Sequence, residues 1–177
     1  MAIGEGIARG KAKIYRHAPL VVERKRIAKA QVKRELGLLD RAVQRALAAL
    51  ERQKADQMEG EALAILESHL LMVQDPTYIA SIRKLIEERL INAAWATEEV
   101  TEEIIRTLEA SDDEAFRQRT VDIGDIGRTI VENLYGKSAQ SSLVLDEPVI
   151  LLADTLLPSE LFGLDRSNIL GLSLDGG

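Results

Sequence analysis

Two aspartates one helical turn apart are the first candidates for chemistry in this sequence. Asp122 and Asp125 stand between Arg119 and Arg128. A carboxylate pair at this spacing can ligate a hard metal ion. The same spacing also suits ion pairs along one helix, Arg119 with Asp122 and Asp125 with Arg128, and we favour this interpretation over a metal site.

A glycine-rich stretch near the start, GEGIARGKA, has the composition of a phosphate-binding loop. It does not have the pattern of one. A P-loop requires glycine where Glu5 stands and serine or threonine where Ala12 stands, and the dinucleotide fingerprint requires glycine at the position of Arg9. We therefore interpret the stretch as a turn that leads into a strand.

The two histidines, His17 and His69, have no histidine or cysteine at ligand spacing, so the sequence predicts no zinc site. His69 has two possible roles: a packing residue inside a core, or part of an apolar face that docks another protein through one directed hydrogen bond. Trp95 presents the same choice between core and binding residue. Three- and four-residue spacings place His69 on one helix face with Ile65, Leu66, Met72 and Val73.

Hydrophobic spacing predicts the helices that position these residues. From Arg26 onwards the pattern becomes helical, and one apolar stripe runs along a first long helix. The stripe consists of Val32, Leu36, Leu39, Val43, Ala46 and Leu50. The opposite face is basic, and we interpret it as a solvated face. It carries Lys29, Lys33, Arg34, Arg41, Arg45 and Arg52.

Further along the chain, helix-start signals divide the sequence into more helices. A second helix covers EALAILESHLLMV, and Asp75 followed by Pro76 predicts the start of a third. Asn92 is predicted to cap a fourth helix, and residues 111–114 resemble another start signal. We expect a last helix over about 116–135, ended by Gly136.

Strand signals lie at both ends of the chain. Residues 6–25 predict one or two strands, and PVILLA and NILGLSL predict two more around a short helix in LLPSELFGL. The expected fold is α+β and mostly α: a helical bundle, residues 26–136, inserted into an α/β domain formed by 1–25 and 137–177. We expect that α/β domain to be incomplete, because its C-terminal part stops at a turn.

Composition limits the partners and the compartment. The 177 residues carry a formal net charge of −6 and have a pI of about 5.1, which argues against nucleic acid or an anionic membrane as partner. There is no cysteine and no apolar run long enough to span a bilayer. We therefore expect a protein of the reducing cytoplasm.

Five motifs in order resemble the N-terminal region of enzyme I, the phosphoenolpyruvate–protein phosphotransferase of bacterial sugar-uptake systems. They are GIARGKA, ILESHLLMVQDP, RQRTVDIGDIGR followed by NLYG, PVILLADTLLPSE and ILGLSLDGG. The resemblance implies a helical domain that binds the carrier protein HPr, inserted into a swivelling α/β domain that carries a phosphohistidine. It covers essentially the whole chain.

In the family, the Gly-Gly turn is followed by Thr-Ser-His, and that histidine carries the phosphoryl group. The resemblance therefore implies that the phospho-acceptor lies just after Gly177, that no catalytic residue lies in this chain, and that the chain alone is inactive. It implies that phosphoenolpyruvate, Mg²⁺ and the homodimer contacts belong to a further C-terminal domain, and that this fragment is monomeric. The implied HPr-docking residues are Glu61, His69, Met72, Asp75, Tyr78, Leu108 and Arg119.

The sequence departs from the family pattern at three positions. Leu157 stands where a threonine can contact the active histidine, and Pro76 and Tyr78 stand where acidic and aliphatic residues occur. Two alternatives stay open at this point: a non-catalytic helical adaptor or oligomerisation module, and the nitrogen-regulating paralogue of enzyme I.

Overall fold

The computed structural model describes residues 7–16, 19–55, 61–136, 145–164 and 166–175. The chain divides into two compact units. One unit combines both ends of the chain, Met1–Pro19 and Ala139–Gly177, and the other is the continuous segment Leu20–Ser138. The fold is mostly helical with one small parallel sheet, which confirms the predicted fold class.

The segment Leu20–Ser138, called here the helical unit, contains six α-helices among its described residues. These are α1 (Val32–Ala55), α2 (Glu61–Val73), α3 (Pro76–Arg89), α4 (Ala93–Glu109), α5 (Glu114–Gln118) and α6 (Thr120–Leu134). Helix α6 packs on both α1 and α4. Helix α2 packs on α1, and helix α3 packs on α4. The centre of the unit is apolar, and its fully buried side chains include Leu39, Leu66, Ile82, Ile86 and Ile130.

The apolar stripe predicted on the first helix forms part of this core. Leu39, Val43, Ala46 and Leu50 are buried on α1, as expected from their spacing. The helix begins at Val32 after a 3₁₀ turn over Lys29–Gln31, later than Arg26 where the helical pattern starts. The residues before this turn are extended instead, because their backbone pairs with the α3–α4 junction: Ile27 N donates to the Leu90 carbonyl at 2.8 Å.

Local start and stop signals account for most helix ends. The Asp75 carboxylate accepts a hydrogen bond from Thr77 N at 2.7 Å and caps α3, as predicted. Gly136 adopts a φ of 69° after α6, a conformation that favours glycine and ends the helix as expected. The single last helix predicted over 116–135 is wrong. Asp113 caps a short helix, α5, and the helix is interrupted at Arg119 before α6 begins.

The unit formed by the two ends of the chain contains a three-stranded parallel sheet. Its elements are β1 (Lys11–Tyr15), β2 (Val149–Ala153), α7 (Pro158–Gly163) and β3 (Ile169–Leu174), with β2 in the middle. Both predicted C-terminal strands and the short helix between them are present. One face of the sheet packs around Tyr15, Leu151, Ala153 and Leu164. Ile14 and Leu170 are exposed, at 66% and 45% of their surface.

Candidate functional site

A groove between α3 and α4 collects three of the seven predicted docking residues. It has a volume of about 310 Å³, and Asp75, Tyr78 and Leu108 all line it. The other lining residues are Thr77, Ser81, Val100, Glu103, Ile104 and Thr107. The sequence reasoning did not select those six. The recurrence of Val100, Ile104 and Leu108 at four-residue steps predicts that these three side chains share one face of α4.

Tyr78 lies at the bottom of the groove and is buried, with 7% of its surface exposed. Its hydroxyl lies 2.7 Å from Thr101 Oγ1, which itself donates to the Thr97 carbonyl. Because the Thr101 proton is used in that bond, the Tyr78 hydroxyl is the donor. Burial raises the pKa of Tyr78 to about 12. The phenol is therefore neutral, and it is fixed in the packing between α3 and α4.

Two hydroxyl groups and two carboxylates give the groove several hydrogen-bond acceptors. Ser81 Oγ donates its proton to the Thr77 carbonyl, and Thr107 Oγ1 donates to the Glu103 carbonyl, both at 2.9 Å. These hydroxyl oxygens keep only lone pairs for a ligand. The Asp75 and Glu103 carboxylates add negative charge beside the apolar Val100, Ile104 and Leu108. The groove is thus suited to a partner that presents donors and positive charge around an apolar group.

His69 is placed differently from the residues of the groove. It is buried on α2 with 2% of its side chain exposed, and its Nε2 lies 3.3 Å from Asp122 Oδ1 on α6. Its directed hydrogen bond is therefore made within the chain, in agreement with the packing interpretation. A docking role for His69 stays a prediction.

The remaining predicted docking residues lie around α2 and the start of α6. Met72 is half-buried on α2, and Arg119 is exposed at the junction of α5 and α6. Glu61 is the first residue of α2, and its side chain lies outside what the structure describes. Apolar side chains that the sequence reasoning missed are exposed next to these positions. Leu71 adjoins Met72, while Phe116 and Val121 flank Arg119, with 71%, 49% and 54% of their surfaces exposed.

Of the two ion pairs predicted around Asp122 and Asp125, one is replaced by a different contact: Asp122 bonds to His69. The predicted Asp125–Arg128 pair stays a prediction, and Arg128 also pairs with Glu132 at 2.9 Å. Among the described side chains, Arg119 forms no ion pair, so the predicted Arg119–Asp122 pair is wrong. The described residues also contain no group of three or more histidine, aspartate or glutamate side chains that could hold a metal ion.

In the sheet unit, hydrogen bonds connect the carboxyl ends of the strands with one another and with the loop before α7. The Tyr15 hydroxyl donates to Glu160 Oε1 at 2.5 Å, and Leu157 N donates to Glu160 Oε2 at 3.0 Å. Asp175 N, just after β3, donates to the Ala153 carbonyl at 3.0 Å. The carboxyl ends of all three strands therefore meet at one edge beside Leu157, the position where ligands bind in open parallel sheets. His17 lies outside the described residues.

No described helix has the length and apolar character that crossing a bilayer requires.

Comparison with known proteins places the chain in a family. Residues 1–119 match the family model of the N-terminal part of PEP-utilising enzymes. The phosphoenolpyruvate-protein phosphotransferases of Priestia megaterium and Listeria monocytogenes are each 31% identical to the whole chain, which spans 31% of their length. The chain thus spans about a third of the curated relatives that it matches.

Solved structures agree with this relationship. One match is a solution structure of an Enzyme I protein, with 26% identity and a TM-score of 0.76. The superposition covers 95% of this chain and 69% of the chain in that structure. The N-terminal domain of a nitrogen Enzyme 1 matches the same shares, with a TM-score of 0.69 and 19% identity, and shows the fold alone. The resemblance to enzyme I is thus confirmed, and the chain belongs to the family of N-terminal regions of PEP-utilising enzymes.

Proposed function

We propose that this chain comprises the carrier-docking helices and an incomplete phosphohistidine domain of a phosphoenolpyruvate-protein phosphotransferase, and that its helical unit binds HPr. The observation that carries the proposal is the acceptor-rich groove between α3 and α4. The HPr carrier of the family presents a basic, partly apolar patch around its histidine. Such a patch complements the Asp75 and Glu103 carboxylates and the apolar side chain of Leu108.

In the proposed reaction, a histidine just beyond Gly177 attacks the phosphorus of phosphoenolpyruvate. An N–P bond forms, the P–O bond breaks, and pyruvate leaves as its enolate; the carrier histidine then displaces the enzyme imidazole from phosphorus. This histidine would follow β3 at the edge of the sheet where Leu157 lies. Leu157 has no hydroxyl, so it cannot supply the contact that a threonine makes with the active histidine.

The remaining expectations also belong to the proposal. From the family resemblance we assign Mg²⁺, phosphoenolpyruvate and the homodimer contacts to the remainder of the longer protein. The proposed compartment is the cytoplasm. Which phosphotransferase system the protein serves, the sugar or the nitrogen system, follows from which carrier the groove binds.

A titration of the isotope-labelled chain with HPr tests the docking role. We expect amide shifts at Asp75, Glu103 and Leu108 that weaken when salt is raised from about 20 to about 200 mM, because the contact is electrostatic in part. Leu108→Ala should weaken binding by about ten-fold, since it removes apolar area that the carrier would bury. Leu47→Ala, a half-buried leucine on α1, is the matched control and should leave the affinity unchanged.

Three outcomes decide between the alternatives. Shifts at the groove that need a higher HPr concentration in Leu108→Ala support HPr docking. A response only to the carrier of the nitrogen system would assign the chain to that branch. A folded chain that responds to neither carrier would overturn the docking role and favour the helical adaptor.

A further inference from the structure

Four arginines form a straight stripe along the solvent side of α1. Arg34, Arg41, Arg45 and Arg52 are separated by seven, four and seven residues. At about 100° per residue these steps return each side chain to within about 20° of one line. The stripe extends about 27 Å along the helix at a rise of about 1.5 Å per residue. All four side chains are exposed, and none of them lines the groove between α3 and α4.

Within the part of the chain that the structure describes, none of the four stripe arginines pairs with a carboxylate. Arg45 donates to the Asn133 carbonyl and Arg52 to the Ala48 carbonyl. Six arginines elsewhere in the helical unit do pair with a carboxylate: Arg24, Arg83, Arg89, Arg106, Arg117 and Arg128. A protein with 29 acidic residues therefore keeps four aligned cations without a described carboxylate partner.

The charges beside the stripe make it narrow. Asp40 and Glu51 stand about 100 to 120° to one side of the line, and Glu35 stands about 100° to the other. Asp40 pairs with Arg83, and Glu35 accepts a hydrogen bond from Ala93 N. A bilayer or a nucleic-acid duplex would bring phosphates against these carboxylates, and the net charge of −6 would oppose both. A partner that places a single row of acidic side chains along the stripe would avoid these carboxylates.

Gly37 lies between the first two arginines of the stripe. An added Cβ at this position would lie 3.5 Å from Arg41 Nη1, so the guanidinium of Arg41 lies over the glycine. A glycine inside a helix costs about 1 kcal/mol relative to alanine. The absence of a side chain here leaves room for the Arg41 guanidinium on this side of the stripe.

We propose that this arginine stripe docks an acidic α-helix of a partner protein, one that carries carboxylates along a single face. A helix lying along α1 would repeat its side chains with the same period, so carboxylates at seven-, four- and seven-residue steps would meet all four guanidinium groups. Arginine suits this role because its planar fork binds carboxylates through two parallel hydrogen bonds. The contact is separate from the proposed carrier groove.

The test uses a synthetic helical peptide with glutamates at the same seven-, four- and seven-residue spacing. A second peptide of identical composition has its glutamates spread around the helix. We expect the aligned peptide to bind at least about ten-fold more tightly at low salt and to shift the Nε–Hε signals of the stripe arginines. Equal affinity for the two peptides would overturn the proposal.

Arg34→Glu combined with Arg41→Glu should abolish binding of the aligned peptide, because it puts two negative charges opposite the glutamates of the peptide. The fold should be retained, since neither arginine makes a described hydrogen bond that the change would break. Lys33→Glu combined with Lys84→Glu makes the same change in net charge off the stripe and should retain most of the affinity. Both variants should keep the wild-type melting temperature and the response to HPr. Preferential binding to a DNA duplex or to anionic vesicles would assign the stripe to another class of partner and overturn the proposal.

Discussion

His69 Nε2 lies 3.3 Å from Asp122 Oδ1, across the contact between α2 and α6. The imidazole is almost fully buried, whereas 30% of the aspartate side chain is exposed. The pair therefore joins the core to the surface of the helical unit. It also ties α2, which carries the half-buried Met72, to the start of α6, which adjoins Arg119.

Removing this pair should loosen α2. We expect His69→Ala to lower the free energy of unfolding by about 2 to 3 kcal/mol, because it leaves a cavity and removes a buried hydrogen bond. Asp122→Ala should cost about 1 kcal/mol. In a double-mutant cycle from urea titrations, a coupling energy near zero would show that the 3.3 Å contact contributes nothing to stability.

Burial of Tyr78 predicts an alkaline loss of stability. The pKa of Tyr78 is raised by burial to about 12 in the folded state, from an ordinary value of 10.0. Stability is then unaffected below about pH 10 and falls as the pH rises from about 10 to about 12, by up to about 3 kcal/mol. The physical reason is that the unfolded chain loses this proton more readily than the folded one.

Tyr78→Phe tests this pH dependence directly. The variant should lose about 1 kcal/mol at neutral pH, through the missing bond to Thr101, yet fall less steeply above pH ~10. Tyr135→Phe keeps the buried phenol and should retain the wild-type slope. Identical slopes in the wild type and Tyr78→Phe would contradict the assignment.

Gly127 allows α6 to approach α4 closely. An added Cβ would lie 2.6 Å from Thr101 Cγ2 and would also collide with the Thr101 hydroxyl that accepts the Tyr78 proton. Gly127→Ala should therefore destabilise the helical unit by about 1 to 3 kcal/mol, as overpacking does. It should also disturb the Tyr78 resonances at the bottom of the groove.

Gly124 on the same helix provides the control. Its added Cβ would meet Ile105 Cδ1 at 3.7 Å, an ordinary contact. Gly124→Ala should be neutral or stabilise by up to about 1 kcal/mol through helix propensity. If both alanine variants had the same melting temperature, the close contact at Gly127 would be unimportant.

Glu35 caps a helix from a distance. Its carboxylate on α1 accepts a hydrogen bond from Ala93 N at 3.0 Å, at the start of α4. Glu35→Ala should lower stability by about 1 kcal/mol, because it removes a helix cap and a favourable charge at the helix N-terminus. Glu51→Ala, an exposed glutamate of the same helix, should have little effect in the same urea titration. Equal losses in the two variants would rule out a capping contribution.

Several features of the fold could be predicted from the sequence because their causes are local. Asp75 and Pro76 start α3 through a hydrogen bond two residues away, and Gly136 ends α6 through its own backbone angle. The apolar period of α1 likewise identified its buried face, since a helix buries whatever side is apolar along its length. The family resemblance required only short motifs in the right order.

Other features depended on residues that are distant in the sequence. Asn92 was predicted to cap α4, but its side chain makes no cap bond there; its Oδ1 accepts from Lys25 N at 3.3 Å, and Glu35 contributes to the cap instead. Asp122 was assigned to Arg119, but it bonds to His69. In both cases several partners satisfy the same spacing rule, and only helix packing decides which atoms meet.

The functional surfaces divide in the same way. The sequence by itself determined that α1 carries a row of arginines, and the family resemblance predicted Asp75, Tyr78 and Leu108 as docking residues. The tertiary structure decided that these three residues share one groove, in which helix carbonyls already accept the hydroxyl protons of Ser81 and Thr107. It also decided that His69 is turned inward and that the arginines have no described carboxylate partner. Hydrogen-bond and ion-pair partners are set by distances in space, and these distances exist only once the helices have packed.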